Sequence, residues 1–584
     1  MHRIQPLLFV VPFLASPLSL LAGEQTATAA QPHRPNVVLI MTDDQGWGDL
    51  GVHGNDQIRT PNLDALARQS VALKNFYVSP VCTPTRASLL TGRYNYRTGA
   101  IDTFRGRALM HSDEVTLAEM LAAAGYRTGI FGKWHLGDNY PLRARNQGFQ
   151  ESLTLWGGGL VQWADPPQAR GNSYFDPWLS HNGTETQFKG YCSDIYTDAA
   201  IEYIDKHRTD PFFVYLAFNC PHTPLQVRDQ DYQPYLKMGL DETTAKVYGM
   251  VANLDANIGR LLKKLNELSL AEDTILIFLT DNGPQQRRYN GIWRGLKGSV
   301  YEGGIHVPCF VRWPRRLRAG HHVEEPAAHI DLVPTLLAAC GVERPGGVKL
   351  DGRNVLPLLE GRPAVWPDRN LFFQWHRGDV PQLHRAFAVR GPRYKLVQAA
   401  GAGEQAPPKT RFELFDLVND PGEQHDLAAD KPEIVAEMKS AYEAWFRDVS
   451  ASRGYDPPAI HIGTANENPL RLSRQDLRGF GPREPGHWRV HVAAGEYRVR
   501  LLFDAQDATG NPNAAKKQSV PDNRDARRRA VFVCGKAKHV RDVPFGQSEV
   551  TFESLSLSPE ASQIQAWIEA DSELQDVRYV ELRR

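Results

Sequence analysis

The sequence predicts an α/β protein: a largely parallel sheet flanked by helices, then a small C-terminal α+β subdomain, then an appended all-β module. Three observations predict this. From residue 34 to 370, short uninterrupted apolar segments alternate with helical ones, the rhythm of a parallel sheet covered on both faces. From 371 to 450 that rhythm gives way to hairpin-like strands and one closing helix. From 451 to 584 only period-two strands are recognisable, after a polar, Pro-containing linker.

Asn36 to Met41 is continuously apolar, as a strand buried on both faces must be. Thr60-Pro61 opens a helix, Thr as N-cap and Pro in the first turn, with Leu63, Leu66 and Ala67 on one face. Leu117 to Ala124 forms a helix stopped at Gly125, followed by a strand at Arg127 to Phe131. Helix 194–206 leads to strand 212–218, and helix 243–268 to strand 274–279. Phe387 to Val389, Tyr394 to Val397 and Phe412 to Leu417 read as short strands, and about Pro432 to Val449 as the closing helix. Trp488 to Val492, Tyr497 to Leu501 and Val577 to Val580 read as strands of the β-module.

Lys+Arg and Asp+Glu are both 67, so the formal charge is zero, which argues against a nucleic-acid footprint. The cluster Arg527-Arg528-Arg529, lying among Asp522, Asn523 and Asp525, reads as a solvated loop. Residues 1–29 read as a signal peptide: His2 and Arg3, a short apolar run broken by Pro12 and Pro17, then small residues at Ala22-Gly23 and Ala27-Thr28-Ala29. The protein is therefore expected to be exported, periplasmic or secreted. No later stretch is long and apolar enough for a membrane anchor. The six scattered cysteines are no disulfide framework but leave room for one or two bridges.

Four apolar strands run into reactive polar groups: Asp43-Asp44, Lys133-Trp134-His135, Pro221-His222 and Asp281-Asn282. In an open parallel sheet the carboxyl ends of strands share one edge, where ligands bind. Asp43, Asp44, Asp281 and Asn282 offer only hard oxygen ligands, which suits Ca²⁺, with Mg²⁺ as the alternative, rather than Zn²⁺. Cys82 is expected in a loop just before a helix, whose N-terminus favours anions, with Arg86 adding positive charge in the first turn.

Cys82-Thr83-Pro84-Thr85-Arg86, followed by Ala87-Ser88-Leu89-Leu90-Thr91-Gly92-Arg93, resembles the signature of the type I sulfatases. The resemblance covers roughly residues 34–450. It includes Pro35 to Asp44, Gly132 to Gly137, Pro221-His222-Thr223-Pro224, Thr280 to Gly283, Lys297 to Gly304 and the Leu414-Phe415-Asp416-Leu417 segment. His306 departs from it, standing where such sequences often carry Arg. The family implies an alkaline-phosphatase-like fold and a Cys82 oxidised to formylglycine by a maturation enzyme. It implies a hydrated aldehyde whose one hydroxyl attacks sulfur while the other helps expel sulfate. Asp43, Asp44, Asp281 and Asn282 carry over as metal ligands. Arg86 and Lys133 would neutralise the hydrate and the sulfuryl oxygens, and Lys297 would bind sulfate. His222 would protonate the leaving alcohol, and His135 would bind or deprotonate the hydrate. A phosphate or phosphonate monoester hydrolase of the same fold is the alternative, as is an arylsulfatase.

The segment from about Thr154 to Lys189 carries Trp156, Trp163, Tyr174, Phe175 and Trp178, with Gly157-Gly158-Gly159 to let the backbone bend. Aromatic faces stack on sugar rings, so a sulfated carbohydrate is the expected substrate. Trp163 and Trp178 are expected to contact it, and Gln162, Asp165, Asn172 and Asp176 to bind its hydroxyls. The β-module is expected either to add a glycan contact or to serve structure alone.

Overall fold

The computed structural model describes Leu8, Val10 and residues 34–362, 366–481, 484–503, 528–544, 546–570 and 573–584. The segment read as a signal peptide and Asp522, Asn523, Asp525 and Arg527 lie outside the described residues.

A ten-stranded sheet organises residues 36–323. At its centre four strands lie side by side and parallel, in the order Thr274–Thr280, Asn36–Thr42, Phe212–Ala217, Arg127–Lys133. These are the four strands whose sequences run into polar groups, so one edge collects all four ends. Asn36–Thr42 is buried at every position, as the apolar run Val37 to Met41 at its centre requires. Its side chains alternate between two cores. Val37, Leu39 and Met41 pack with Leu90, Leu121 and Leu336, and Val38 and Ile40 pack with Leu66, Ile204 and Leu254. Helices Cys82–Thr91, Leu117–Ala123 and Leu332–Cys340 thus cover one face, and Pro61–Arg68, Cys192–Lys206 and Glu242–Glu267 the other.

Several local expectations need correction. Thr60 does not cap its helix through its side chain; its hydroxyl donates to Asp64 Oδ1 and accepts from Gly51 N–H. Thr116 is a genuine cap, in a reciprocal box with Glu119. Arg528 and Arg529 lie on a strand, not in a solvated loop, with the Arg528 guanidinium over the Phe503 ring. All six cysteines are free and buried, so none forms a bridge. No helix among the described residues is long and apolar enough to cross a membrane.

Strands Leu371–Gln374, Phe387–Arg390, Tyr394–Gln398 and Glu413–Asp416 form an antiparallel sheet against helix Pro432–Ser450. Beyond it, a six-stranded and a four-stranded sheet share one apolar core around Trp488, Val499, Phe532 and Ile568. Leu109 and Leu142, from the α/β region, complete that core. The β-module therefore packs directly onto the segments that follow the helix of Cys82 and the strand of Lys133.

Candidate active site

Cys82 stands not in a loop but at the first position of helix Cys82–Thr91, and it is 2% exposed. Pro84 and Arg86 lie in the same opening turns, where backbone N–H groups have no partner within the helix. Burial raises the Cys82 thiol pKa, against the pull of Lys133 and Lys297.

The strand ends converge on it. Asp43, Asp281 and Cys82 bring ligand atoms within 4.8 Å of one another, as do Asp43, Asp44 and His222. Arg86 is wholly buried and donates to Asp281 Oδ2 at 2.8 Å and to the Lys133 carbonyl at 3.0 Å. Lys133 Nζ reaches Asp43 Oδ2 at 2.5 Å, and Lys297 Nζ reaches Asp44 Oδ1 at 2.6 Å. Asn282 donates to Asp44 Oδ1 at 2.8 Å. Burial acts to raise Asp44, but Lys297, His222 and Lys133 outweigh it and hold the carboxyl well below its usual range. Asp281 is pushed up to about 6 by burial and by Asp43, against Arg86 and Lys133.

Among these buried groups, Asp43 Oδ1, Asp44 Oδ2 and Asn282 Oδ1 accept no hydrogen bond. Orphaned acceptors cost roughly 1–3 kcal/mol each unless something else binds them. Three hard oxygens facing one space make a donor set that fits a hard divalent cation.

Both histidines have a fixed neutral tautomer. His135 Nε2 lies 2.8 Å from the Thr103 carbonyl, which can only accept, so Nε2 carries the proton and the buried Nδ1 lone pair is without a partner. His222 Nδ1 lies 2.7 Å from the Thr223 carbonyl by the same logic, leaving Nε2 3.7 Å from Asp44 Oδ2. Burial, with Lys297 and Lys133, lowers His222 to about 4 against the pull of Asp44. Burial and Lys133 push His135 well below its usual value. Asp44 and His135 also adopt left-handed backbone, φ 64° and 58°, at about 1–3 kcal/mol each for a non-glycine residue.

The aromatic insertion divides. Tyr174 is fully buried, and its hydroxyl bonds the carbonyls of Asn219 and His222, so it braces the His222 loop rather than facing a ligand. Asp165 and Asn172 are buried and bonded to one another, and Asp176 accepts from Gly190 N–H; these groups are spent within the insertion, not offered to hydroxyls. Trp163 is partly exposed beside Phe104. Trp178 begins a strand two places along the sheet from that of Lys133, about 10 Å at ordinary strand spacing. His306, the departure from the family pattern, is stacked on Tyr77 and bonded to the Lys74 carbonyl at 2.8 Å, beside the buried group Glu302, Lys395 and Glu423.

Sequence reasoning missed several supporting residues. Arg288 donates to the Asp44 carbonyl at 3.0 Å and pairs with buried Asp49, holding the strained Asp44 turn. Asn219 is buried with neither polar side-chain atom partnered; its place three residues before His222, at a strand end, was the available signal. Gly158 and Gly159 lie so close to His135 and His222 that a Cβ would stand 2.5 and 3.1 Å from their Cε1 atoms. No sequence signal marked Thr103 or Gln475, which meet at the Thr103 carbonyl.

Comparison with known proteins places the chain in a family. The family model described as Sulfatase matches residues 35–342, and that described as N-sulphoglucosamine sulphohydrolase, C-terminal, matches 295–446. Arylsulfatase A of Bos taurus is 35% identical over 474 residues, 73% of this chain and 88% of its own. N-acetylgalactosamine-6-sulfatase of Homo sapiens is 34% identical over 379 residues, 60% of this chain and 69% of its own. The crystal structure of Ps i-CgsB in complex with k-i-k-neocarrahexaose superposes with a TM-score of 0.63 at 29% identity, covering 70% of this chain and 92% of that one. The fold and the strand-end site define a hydrolase of the alkaline-phosphatase-like superfamily. Within it, the chain belongs to the type I sulfatases, the sulfuric ester hydrolases.

Proposed function

We propose that the protein is an exported sulfatase that releases sulfate from a sulfated carbohydrate, with Cys82 converted to formylglycine by a maturation enzyme. The observation that carries this is the convergence of Cys82, Arg86, Lys133 and orphaned oxygens of Asp43, Asp44 and Asn282 in one buried space. Asp43, Asp44, Asp281 and Asn282 would hold one divalent cation, Ca²⁺ in preference to Mg²⁺, since calcium tolerates a looser oxygen shell. Such a cation, when bound, lowers the pKa of an adjacent hydroxyl and polarises a sulfate oxygen. The formylglycine hydrate supplies that hydroxyl at position 82.

The residues of this chain do the rest. Arg86, near the helix start, and Lys133, at a strand end, stabilise negative charge at position 82. Lys297, partly exposed, faces the entering sulfate. His135 presents an unprotonated Nδ1 and accepts a proton from the nucleophile. His222 must take up a second proton before Nε2 can give one to the leaving oxygen, and an arriving sulfate anion beside it favours that uptake.

The carbohydrate reading is supported by the half-exposed aromatics of the insertion. It is supported also by the name of the human N-acetylgalactosamine-6-sulfatase and by the neocarrahexaose in the Ps i-CgsB structure. Mass spectrometry of the peptide containing residue 82, with sulfate release from a panel of defined sulfated sugars and 4-nitrophenyl sulfate, tests both parts. Unmodified thiol in active enzyme would overturn the nucleophile. A small aryl sulfate far outperforming every sugar would overturn the substrate class.

A further inference from the structure

A row of aromatic rings and guanidinium groups runs beside the site. The Arg377 guanidinium lies 5.0 Å from the Trp375 ring and 4.5 Å from the Phe104 ring. Phe104 and Trp163 have ring centroids 6.0 Å apart, and the Arg474 guanidinium closes the row 4.5 Å from Trp163. The members come from four separate stretches: the subdomain after 371, the loop around Phe104, the insertion and the β-module.

The row is tied to the site at both ends. At one end, Gly298, next to Lys297, lies so near Trp375 that a Cβ would stand 3.0 Å from its ring. At the other, the Thr103 carbonyl accepts from His135 Nε2 at 2.8 Å and from Gln475 Nε2 at 2.9 Å. Gln475 follows Arg474, and its own carbonyl accepts from Gly106 N–H at 2.9 Å, so the β-module grips the loop that carries Phe104.

We propose that this row is a subsite for a second oxyanion group on the substrate, a sulfate or a carboxylate on the sugar next to the one that carries the scissile sulfate. We further assign its far end, Arg474, to the β-module. The inference rests on the sulfated-carbohydrate reading. A guanidinium laid on an aromatic face is held flat with its N–H edge outward, the geometry that grips a planar or tetrahedral oxyanion. Arg377 and Arg474 are each about a third exposed at the side chain, 31% and 33%, so the row faces solvent. Asp102, fully buried, and Asp576 orient them through Arg377 Nη1 and Arg474 Nε. An arginine has five N–H donors, more than these pairs use. Phe104 and Trp163, between them, are both partly exposed. A small aryl sulfate would not reach past Lys297 to this row.

The test uses full-length enzyme and Arg474→Ala, with steady-state kinetics on matched disaccharides. One carries only the scissile sulfate, one adds a second sulfate on the neighbouring sugar, and one carries a uronic acid there; 4-nitrophenyl sulfate is the control. Arg474→Ala is expected to raise KM about tenfold for one or both doubly anionic substrates, the loss of one charge-assisted contact. The singly anionic disaccharide and the aryl sulfate are expected to change less than twofold. Which doubly anionic substrate responds tells sulfate from carboxylate. Equal losses on all four substrates, or no loss on any, overturn the subsite. Should Arg474→Ala destabilise the fold by stranding Asp576, Arg474→Gln with Asp576→Asn keeps a neutral pair, and the same selective loss is expected. If wild-type enzyme cleaves 4-nitrophenyl sulfate but no sugar, the carbohydrate reading fails and the subsite with it. If it cleaves sugars and the variants keep full selectivity, only the subsite fails.

Discussion

Lys133 Nζ and Asp43 Oδ2 stand 2.5 Å apart with both side chains wholly buried, at the ends of strands separated by one other strand. Removing one partner of such a pair leaves the other charge stranded at a cost of about 3–5 kcal/mol. Lys133→Ala is therefore expected to lower Tm, and to lower kcat by a hundredfold or more because a fixed cation beside the nucleophile is lost. Circular dichroism melts and kinetics on one substrate check both parts. Normal turnover would remove Lys133 from the machinery.

Asp281 links Arg86 to the carboxylate group, and its Oδ1 accepts from Asp44 N–H at 3.2 Å. Asp281→Ala is expected to lose both bound metal and activity. Elemental analysis of the purified protein reads the first directly. Stoichiometric zinc in the wild type would refute the hard-cation assignment.

Gly158 has room for no side chain, since its Cβ would stand 2.5 Å from His135 Cε1 and 2.6 Å from Nε2. Gly158→Ala should displace the imidazole while leaving the sheet intact. We expect kcat to fall by about ten- to a hundredfold, as small misplacements of catalytic groups do, with a change in Tm of only a few degrees. Wild-type kcat in this variant would show that the insertion does not set the position of His135.

Three buried carboxyls act to lower stability as pH rises from about 4 to about 7, the window between ordinary and raised carboxyl values. Asp138 is pushed up to about 7 by burial and by Glu467, against a hydrogen bond from Gly157. Asp165 is pushed up to about 7 by burial, and burial with Asp138 pushes Asp476 well above its usual range. Each carboxyl binds its proton more tightly folded than unfolded, so its contribution is complete below the unfolded value and lost as pH passes the folded one. Asp416, held at about 2 through Arg393, titrates below this window, whereas histidines held low by burial, such as His222 and His53 at about 4, add stability as pH rises through it. The carboxyl contribution is read by difference: the Tm of Asp476→Asn relative to wild type should rise from pH 5 to pH 8. A difference that does not change with pH would locate the effect elsewhere.

The sheet and the site centre were legible because both rest on local patterns. A strand buried on both faces cannot hide its apolar run, and the polar group that ends it is adjacent in sequence. Four such runs put Asp43, Lys133, His222 and Asp281 at one edge. What was not legible depends on contacts between distant segments. Tyr174 reads like any loop aromatic until its hydroxyl is seen under the His222 loop. Asp165 and Asn172 read as free polar groups, though they satisfy one another. Gln475 has no motif at all, and its meeting with Thr103 spans 372 positions of chain.

Cys82 is 2% exposed, sealed into the first turn of a helix that runs beneath the sheet edge. A sulfur so enclosed is out of reach of another protein's catalytic groups in the folded chain. If an enzyme converts this residue, it would therefore have to meet the chain before folding closes over it. On the proposed conversion of Cys82, modification and folding would be competitors in a race run once per molecule. A preparation in which folding wins too often is a permanent mixture of working and inert copies, and later exposure of the folded protein to the maturation enzyme should not rescue it. Specific activity would then report how the protein was made as much as what it is.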